Sequence, residues 1–219
     1  MKLLVLPLLV VTAAAMSGCG GFKNITGIKG SGNRRSETRN VSGFKKIKAG
    51  GAVKLDISVQ KDFSVSVETD DNLLEKIATE VSGDTLVIES RENISPSSAT
   101  NVKISMPDLV DLDLSGASTG NIAGVKTESL EVEVSGACKL TLDGDVKTLK
   151  AVASGASTID AGALRAGNAK ANASGASTVI VNAADDADLD ASGASTVYYL
   201  GDPKNLKQNS SGASSVKKR

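Results

Sequence analysis

Six tetrads of small residues punctuate the second half of the chain. Ser-Gly-Ala-Ser stands at 115–118, 154–157, 174–177, 192–195 and 211–214, and Ser-Gly-Ala-Cys at 135–138. A serine beside a glycine can serve as a hydrolase nucleophile when a strained strand-to-helix turn exposes it and a histidine takes its proton. This chain contains no histidine, the serine recurs in every tetrad, and the flanking residues alternate as strands do. The tetrads therefore read as structure. Paired carboxylates are the other constellation with chemical potential, because glycoside hydrolysis needs two of them. Asp111 with Asp113, Asp143 with Asp145, and the run Asp185, Asp186, Asp188 and Asp190 are the candidates. Period two turns Asp111 and Asp113 outward beside inward Leu112 and Leu114, and Asp188 and Asp190 outward beside Leu189. A solvated face accounts for such positions, and their spacing matches no calcium loop. No catalytic residue, metal ligand or cofactor is assigned, and the chain reads as a non-enzyme.

The two cysteines carry a different chemistry. Lys2 precedes the apolar run 3–15, which is too short for a comfortable membrane span, and Met16-Ser17-Gly18-Cys19 follows. This resembles a bacterial lipobox, with Met16 where leucine is usual. The resemblance implies that 1–18 is a signal peptide, that Cys19 is lipidated, and that the mature chain sits on a membrane outside the cytoplasm. Cys138 then has no partner for an intramolecular disulfide. It replaces the last serine of its tetrad and reads as a small, largely buried equivalent. Residues 19–42, rich in Gly, Ser, Asn and basic residues, read as a flexible tether. Lys23, Lys29, Arg34, Arg35 and Arg39 could rest on anionic head groups or simply be solvated.

These positions must be held by the domain at 43–219. Aromatic residues make up 2% of the chain and Trp is absent, so the core is built from Val, Leu, Ile and Ala. A formal net charge of zero argues against nucleic acid as partner. Val53, Leu55, Ile57 and Val59 alternate, as do Phe63, Val65 and Val67, and 85–90 and 102–106 read as further strands. Leu73, Leu74, Ile77 and Val81 fall at helical spacing after Asp70 and Asp71, which predicts one short helix over 70–81. Residues 92–101 read as a turn or exposed loop.

The serines that open the tetrads are spaced 20, 19, 20, 18 and 19 residues apart. A constant period of this length marks a repeat architecture whose units bury a core only by stacking. "GGAVKLDI" at 50–57 aligns with "SGACKLTL" at 135–142 as a weaker copy. The expected fold is all-β, a right-handed parallel β-helix of about 20 residues per coil. Gly116, Gly136, Gly155, Gly175, Gly193 and Gly212 become structural corners stacked in one column, where glycine tolerates positive φ. The alanine beside each glycine is expected inward and the hydroxyls on backbone groups at the bend. The predicted helix and the tail 217–219 are the expected guards of the open ends.

The lipobox, "GFKKIKAGGAVKLDISV", "VSVETDDNLLEKIATEVSGDTLVIES" and the terminal Ser-Gly-Ala-Ser coils together resemble the putative auto-transporter adhesin, head GIN domain family, over about residues 43–216. The resemblance implies a small envelope protein with a β-helical body and brings no catalytic or ligand residue with it. The expected place is the cell envelope, on the outer membrane of a Gram-negative bacterium, facing the periplasm or the surface. Three functions follow as expectations: a binding or adhesion module for glycans or for envelope or host surface proteins, a polysaccharide-active enzyme using paired Asp, and a purely structural lipoprotein. Near-absence of insertions in the coils favours binding or structure over a walled catalytic cleft. Tyr198 and Tyr199 are adjacent, so alternation turns only one of them outward.

Overall fold

The computed structural model describes residues 27–219. Within them the chain is nearly all strand, wound as a parallel β-solenoid of about 5 turns with roughly 20 residues per turn. The most regular turns are Thr119–Val134, Lys139–Ala153, Thr158–Ala173 and Thr178–Gly193, each one long strand running from one tetrad to the next. Consecutive turns pair in parallel, and the register slips mid-strand, as between Ile122 and Val125 and between Thr141 and Asp143. An irregularity of this kind bends a strand, so each turn has a bulged bend as well as its small-residue corner.

Two walls result. One runs through Lys46–Ala49, Asp111–Leu114 and the second half of each long strand to Asn205–Gly212. The other runs through Val53–Val59, the first half of each long strand, Thr196–Leu200 and Ser215–Lys218. Alternation sends one side chain of each pair between the walls. Val132, Ala151, Ala171 and Leu189 form one such column, all fully buried. On the first wall alanine fills much of the lumen in the later turns, while the second wall keeps Ile159, Val179 and Val197 inward there, so the core is narrow and continuous rather than globular. Fully burying one Val or Leu contributes about 1.5–3 kcal/mol, which makes the column the main source of stability.

The first end departs from the repeat. Lys46–Ala49 pairs with Thr85–Ser90, and Val53–Val59 pairs with Thr100–Met106. Two antiparallel strands, Ile77–Ser82 and Arg34–Arg39, form the outermost layer there. The second of these reads Arg-Arg-Ser-Glu-Thr-Arg, a charged edge that discourages further pairing.

Three expectations require correction. Residues 70–81 are not one helix: Asp71–Lys76 is a short 3-10 helix and Ile77–Ser82 is a strand. Ile77, Thr79 and Val81 are β-branched and spaced by two, and Gly83, with φ of 63°, turns the chain into Thr85–Ser90. That hairpin outweighs the helical spacing of the same apolar residues. Residues 28–39, expected as tether, form the strands Ile28–Lys29 and Arg34–Arg39, held by backbone pairing to Ile94–Ser95 and Ser64–Asp70 rather than by an apolar pattern. The loop expected over 92–101 is correspondingly interrupted by the strand Ile94–Ser95. Cys19, the lipobox and the first part of the tether lie outside the described residues.

Candidate functional site: corners and outer walls

The corner glycines Gly116, Gly136, Gly155, Gly175, Gly193 and Gly212 have φ between 73° and 86°. A Cβ on any of them would lie within 3 Å of the carbonyl oxygen of the previous corner's glycine. The column begins one turn earlier, at Gly51, against which Gly116 packs. The alanine after each glycine donates its amide to that same carbonyl, as Ala156 does to Gly136 at 2.7 Å and Ala176 to Gly155 at 2.8 Å. Close backbone approach and positive φ therefore both select glycine here.

The inward residue of the tetrad is its last serine, not its alanine. Ser118, Ser157, Ser177 and Ser195 are each 1% exposed, while Ala117, Ala137, Ala156, Ala176 and Ala194 face solvent. The buried hydroxyl finds two carbonyls: Ser195 Oγ reaches Ala173 O at 2.9 Å and Ser192 O at 2.8 Å. Its equivalent Ser177 Oγ reaches Ala153 O at 3.2 Å and Ser174 O at 2.8 Å. Cys138 occupies the same buried place, with its thiol directed at Gly116 O at 3.4 Å and its sulfur accepting from Ser118 N at 3.3 Å. A hydroxyl so placed is buried and already bonded to two backbone carbonyls. The signal for this was present: alternation from Leu112 and Leu114 through the corner places Ser118 in the inward row.

The outer surface of the first wall is a ladder of charges. Lys46, Asp111, Glu131, Lys150, Lys170, Asp188 and Lys207 succeed one another in register. Lys48 bridges Asp113 at 2.8 Å, Lys150 bridges Glu131 at 2.5 Å, and Asp188 lies between Lys170 at 3.5 Å and Lys207 at 3.3 Å. The remaining candidate carboxylates are engaged in the same way, from coil to coil. Asp145 takes Arg165 at 2.7 Å, Asp185 takes Lys204 at 2.6 Å, and Asp186 and Asp190 accept from Asn205 and Asn209, each at 2.7 Å. Asp143 accepts from Gly124 N at 2.7 Å. Burial, and then the neighbouring charge of Glu131, push the Asp111 carboxyl above the usual carboxylate range. These pairs are spent on stacking the coils, and each exposed pair contributes little on its own.

The second wall differs. Thr119, Lys139, Thr158, Thr178, Thr196 and Ser215 form one outward row, and Asn121, Thr141, Asp160, Ile180, Tyr198 and Lys217 the next. Tyr198 stands outward with Arg219 over its ring at 6.0 Å, whereas Tyr199 points into the last turns and is 9% exposed. The first of these rows is mainly hydroxyls at the strand spacing of about 4.8 Å, while the second is mixed, with Asp160, Lys217, a buried Ile180 and one aromatic ring near its end.

At the first end Asp70 is fully buried. Its carboxylate accepts from Ser97 Oγ at 2.5 Å, Ser97 N at 2.8 Å and Gly32 N at 2.9 Å. These bonds, that from the Ser97 hydroxyl first, hold its pKa below the usual carboxylate range. Asn72 completes the clasp, donating to Lys29 O at 2.9 Å and accepting from Ser31 N at 3.0 Å. Of the basic residues expected to be free, Arg34 donates to Glu68 O and Ala99 O, and Arg39 to Glu37 and Leu74 O. A cavity of about 710 Å³ opens nearby, between the corner Gly50–Ala52 and residues 88–96, floored by Val53, Ile77 and Ile88. The sequence marks Asp70 only as an acidic helix start, and neither its clasp nor this cavity is legible there, because both depend on how the non-repeating first end folds back.

The walls and corners define a parallel β-solenoid that presents ordered side-chain rows. Over residues 43–203 the chain matches the family described as "Putative auto-transporter adhesin, head GIN domain", and it belongs to that family. That membership points to an adhesion-type, non-enzymatic module of the cell envelope or surface. Among solved structures, a putative adhesin from Bacteroides fragilis is similar with a TM-score of 0.72 and 21% identity, covering 88% of this chain and 100% of its own. A putative adhesin from Parabacteroides merdae is similar with a TM-score of 0.61 and 15% identity over 88% of this chain and 98% of its own. A putative lipid binding protein from Parabacteroides distasonis has a TM-score of 0.57 and 21% identity, covering 88% of this chain and 99% of its own. At these identities the likeness concerns the fold. No curated protein matches the chain.

Proposed function

We propose that the protein is a lipid-anchored binding module of the bacterial cell envelope, held to the membrane through Cys19, with the hydroxyl-rich second wall as its contact surface. The observation that carries this reading is the difference between the two walls. The first wall spends its charges on neighbouring coils, while the second keeps Thr158, Thr178 and Thr196 in an outward row beside Tyr198. Rows of hydroxyls with an aromatic platform suit glycans, whose hydroxyls need partners and whose ring faces stack on aromatic side chains. Lattices of this kind are how solenoids commonly hold extended partners.

Two experiments test the parts separately. Labelled palmitate supplied to expressing cells should enter the wild-type protein and not Cys19→Ala; equal labelling of both would remove the anchor from the reading. Thr178→Arg, placed in the centre of the second wall, should abolish retention on a glycan or surface protein that binds the wild type, with thermal unfolding unchanged. An equal loss from Lys150→Ala on the first wall, with Thr178→Arg silent, would assign the contact to the other face.

A further inference from the structure

We propose that the outer edge of the last coil is a docking strand for an extended acidic polypeptide segment, taken up by β-strand addition. This goes beyond the glycan-binding wall and does not depend on the lipid anchor.

The backbone directions fix which groups are available. Glu131 N donates to Val110 O, and Ser135 N to Leu114 O. Odd positions of that strand therefore face the preceding coil and even positions the following one. Asn205–Gly212 stands in register with it through the intervening coils, Lys207 aligned with Glu131. By this parity the N–H and C=O groups of Leu206, Gln208 and Ser210 face away from the body. Among the described residues no strand pairs with that edge. Ser215 N donates to Ser195 O and Arg219 N to Tyr199 O, so Val216 and Lys218 offer their backbone in the same direction.

The side chains say that this edge closes the core and which strand it accepts. Gln208 and Ser210 fall in the inward columns held below by Leu189 and Ala191, and Lys218 stands over Tyr199. A polar outer layer of this kind is the mark of a capping repeat. Leu206 is nevertheless 40% exposed, beside a shallow depression of about 600 Å³. The coil's charged side chains after Asp202 are all basic; Lys204 pairs with Asp185, Lys207 with Asp188 and Lys218 with Asp202, while Lys217 and Arg219 take part in none of the ion pairs among the described residues. Like charges disfavour pairing of this edge with a second copy of itself. An acidic strand meets the opposite case, and the body already shows it: Asp188 sits between Lys170 and Lys207, one coil on either side. A carboxylate on an added strand would stand to Lys207 as Asp188 does from below.

A synthetic peptide copying residues 185–191, the acidic strand that Asn205–Gly212 already accepts on its inner edge, is the probe. It is added to the full chain, and amide hydrogen exchange is read residue by residue. Exchange at Leu206, Gln208 and Ser210 should slow at least tenfold at saturation. The same peptide with lysine at every aspartate should give no protection. Gln208→Pro removes an edge N–H that the ladder does not use, so it should abolish protection while leaving thermal unfolding in place. Should that variant fail to fold, Lys207→Ala serves instead, with peptide affinity expected to fall about threefold. Equal protection by both peptides, protection elsewhere in the molecule, or protection that rises with protein concentration without peptide would each overturn the proposal, the last in favour of self-pairing.

Discussion

At the residue scale the corner glycines separate two effects that usually act together. Gly83, with φ of 63°, has open space around the position a Cβ would take, whereas a Cβ at Gly155, with φ of 73°, would lie 2.5 Å from Gly136 O. Left-handed backbone alone costs a non-glycine residue about 1 kcal/mol, so Gly83→Ala should lose roughly that in chemical denaturation. Gly155→Val adds a collision with a backbone that cannot retreat without moving the next coil, and should lose about 3 kcal/mol or more. Similar losses at the two positions would mean that the corners do not stack as described. The serine row makes the complementary point. The tetrad is legible as a corner from its spelling and spacing, but its inward residue is the last serine rather than the alanine. Small size suggested Ala, but the serine follows the alternating row and supplies the donor that the bend's carbonyls need.

At the element scale the repeat was legible and the first end was not. Turns that recur impose one pattern several times, so spacing and alternation agree on them. The segments 28–39 and 70–106 occur once each, and their pairing is set by long-range contacts that local pattern does not encode. Arg34–Arg39 has no apolar period because it is an edge strand whose role is to close the sheet. Ile77–Ser82 read as helix because its apolar residues satisfy both spacings over so short a stretch. Asp70 joins these elements, which gives a prediction at this scale. Because its folded pKa lies below the unfolded value of about 3.9, its stabilising effect is present above that pH and is lost as pH falls through the folded value. Limited proteolysis should therefore cut within 28–39 faster below about pH 4 than at neutral pH. Asp70→Asn should be cut readily at neutral pH and show a weaker pH dependence. Equal resistance of variant and wild type would show that the clasp does not hold the arm.

For the whole molecule, the solenoid is a stack of similar layers, so its stability is a sum over coils and their interfaces. Excising residues 154–173 removes one full period and brings Gly175 onto Gly136. That shortened chain should keep its β-sheet circular dichroism and unfold cooperatively at a moderately lower temperature. Excising 154–163 removes half a period, turns the inward columns out of register and should leave no folded product. If both deletions behave alike, the coils do not stack on a common corner. The same layering explains the functional reading. A body whose interior is occupied by side-chain columns has its surface rows to work with, and among the described residues the hydroxyl row of the second wall makes no ion pair between coils.

The most direct measurement on that claim is a retention screen of residues 20–219, prepared without lipid, against immobilised envelope glycans, host glycans and matrix proteins. Both bound protein and released reducing ends are followed. Specific retention without release, lost in Thr178→Arg, is the expected result. Release of reducing ends would contradict it and return attention to the aspartates of the first wall and its bends. Retention of nothing would contradict it as well, and would leave the solenoid as a structural component of the envelope.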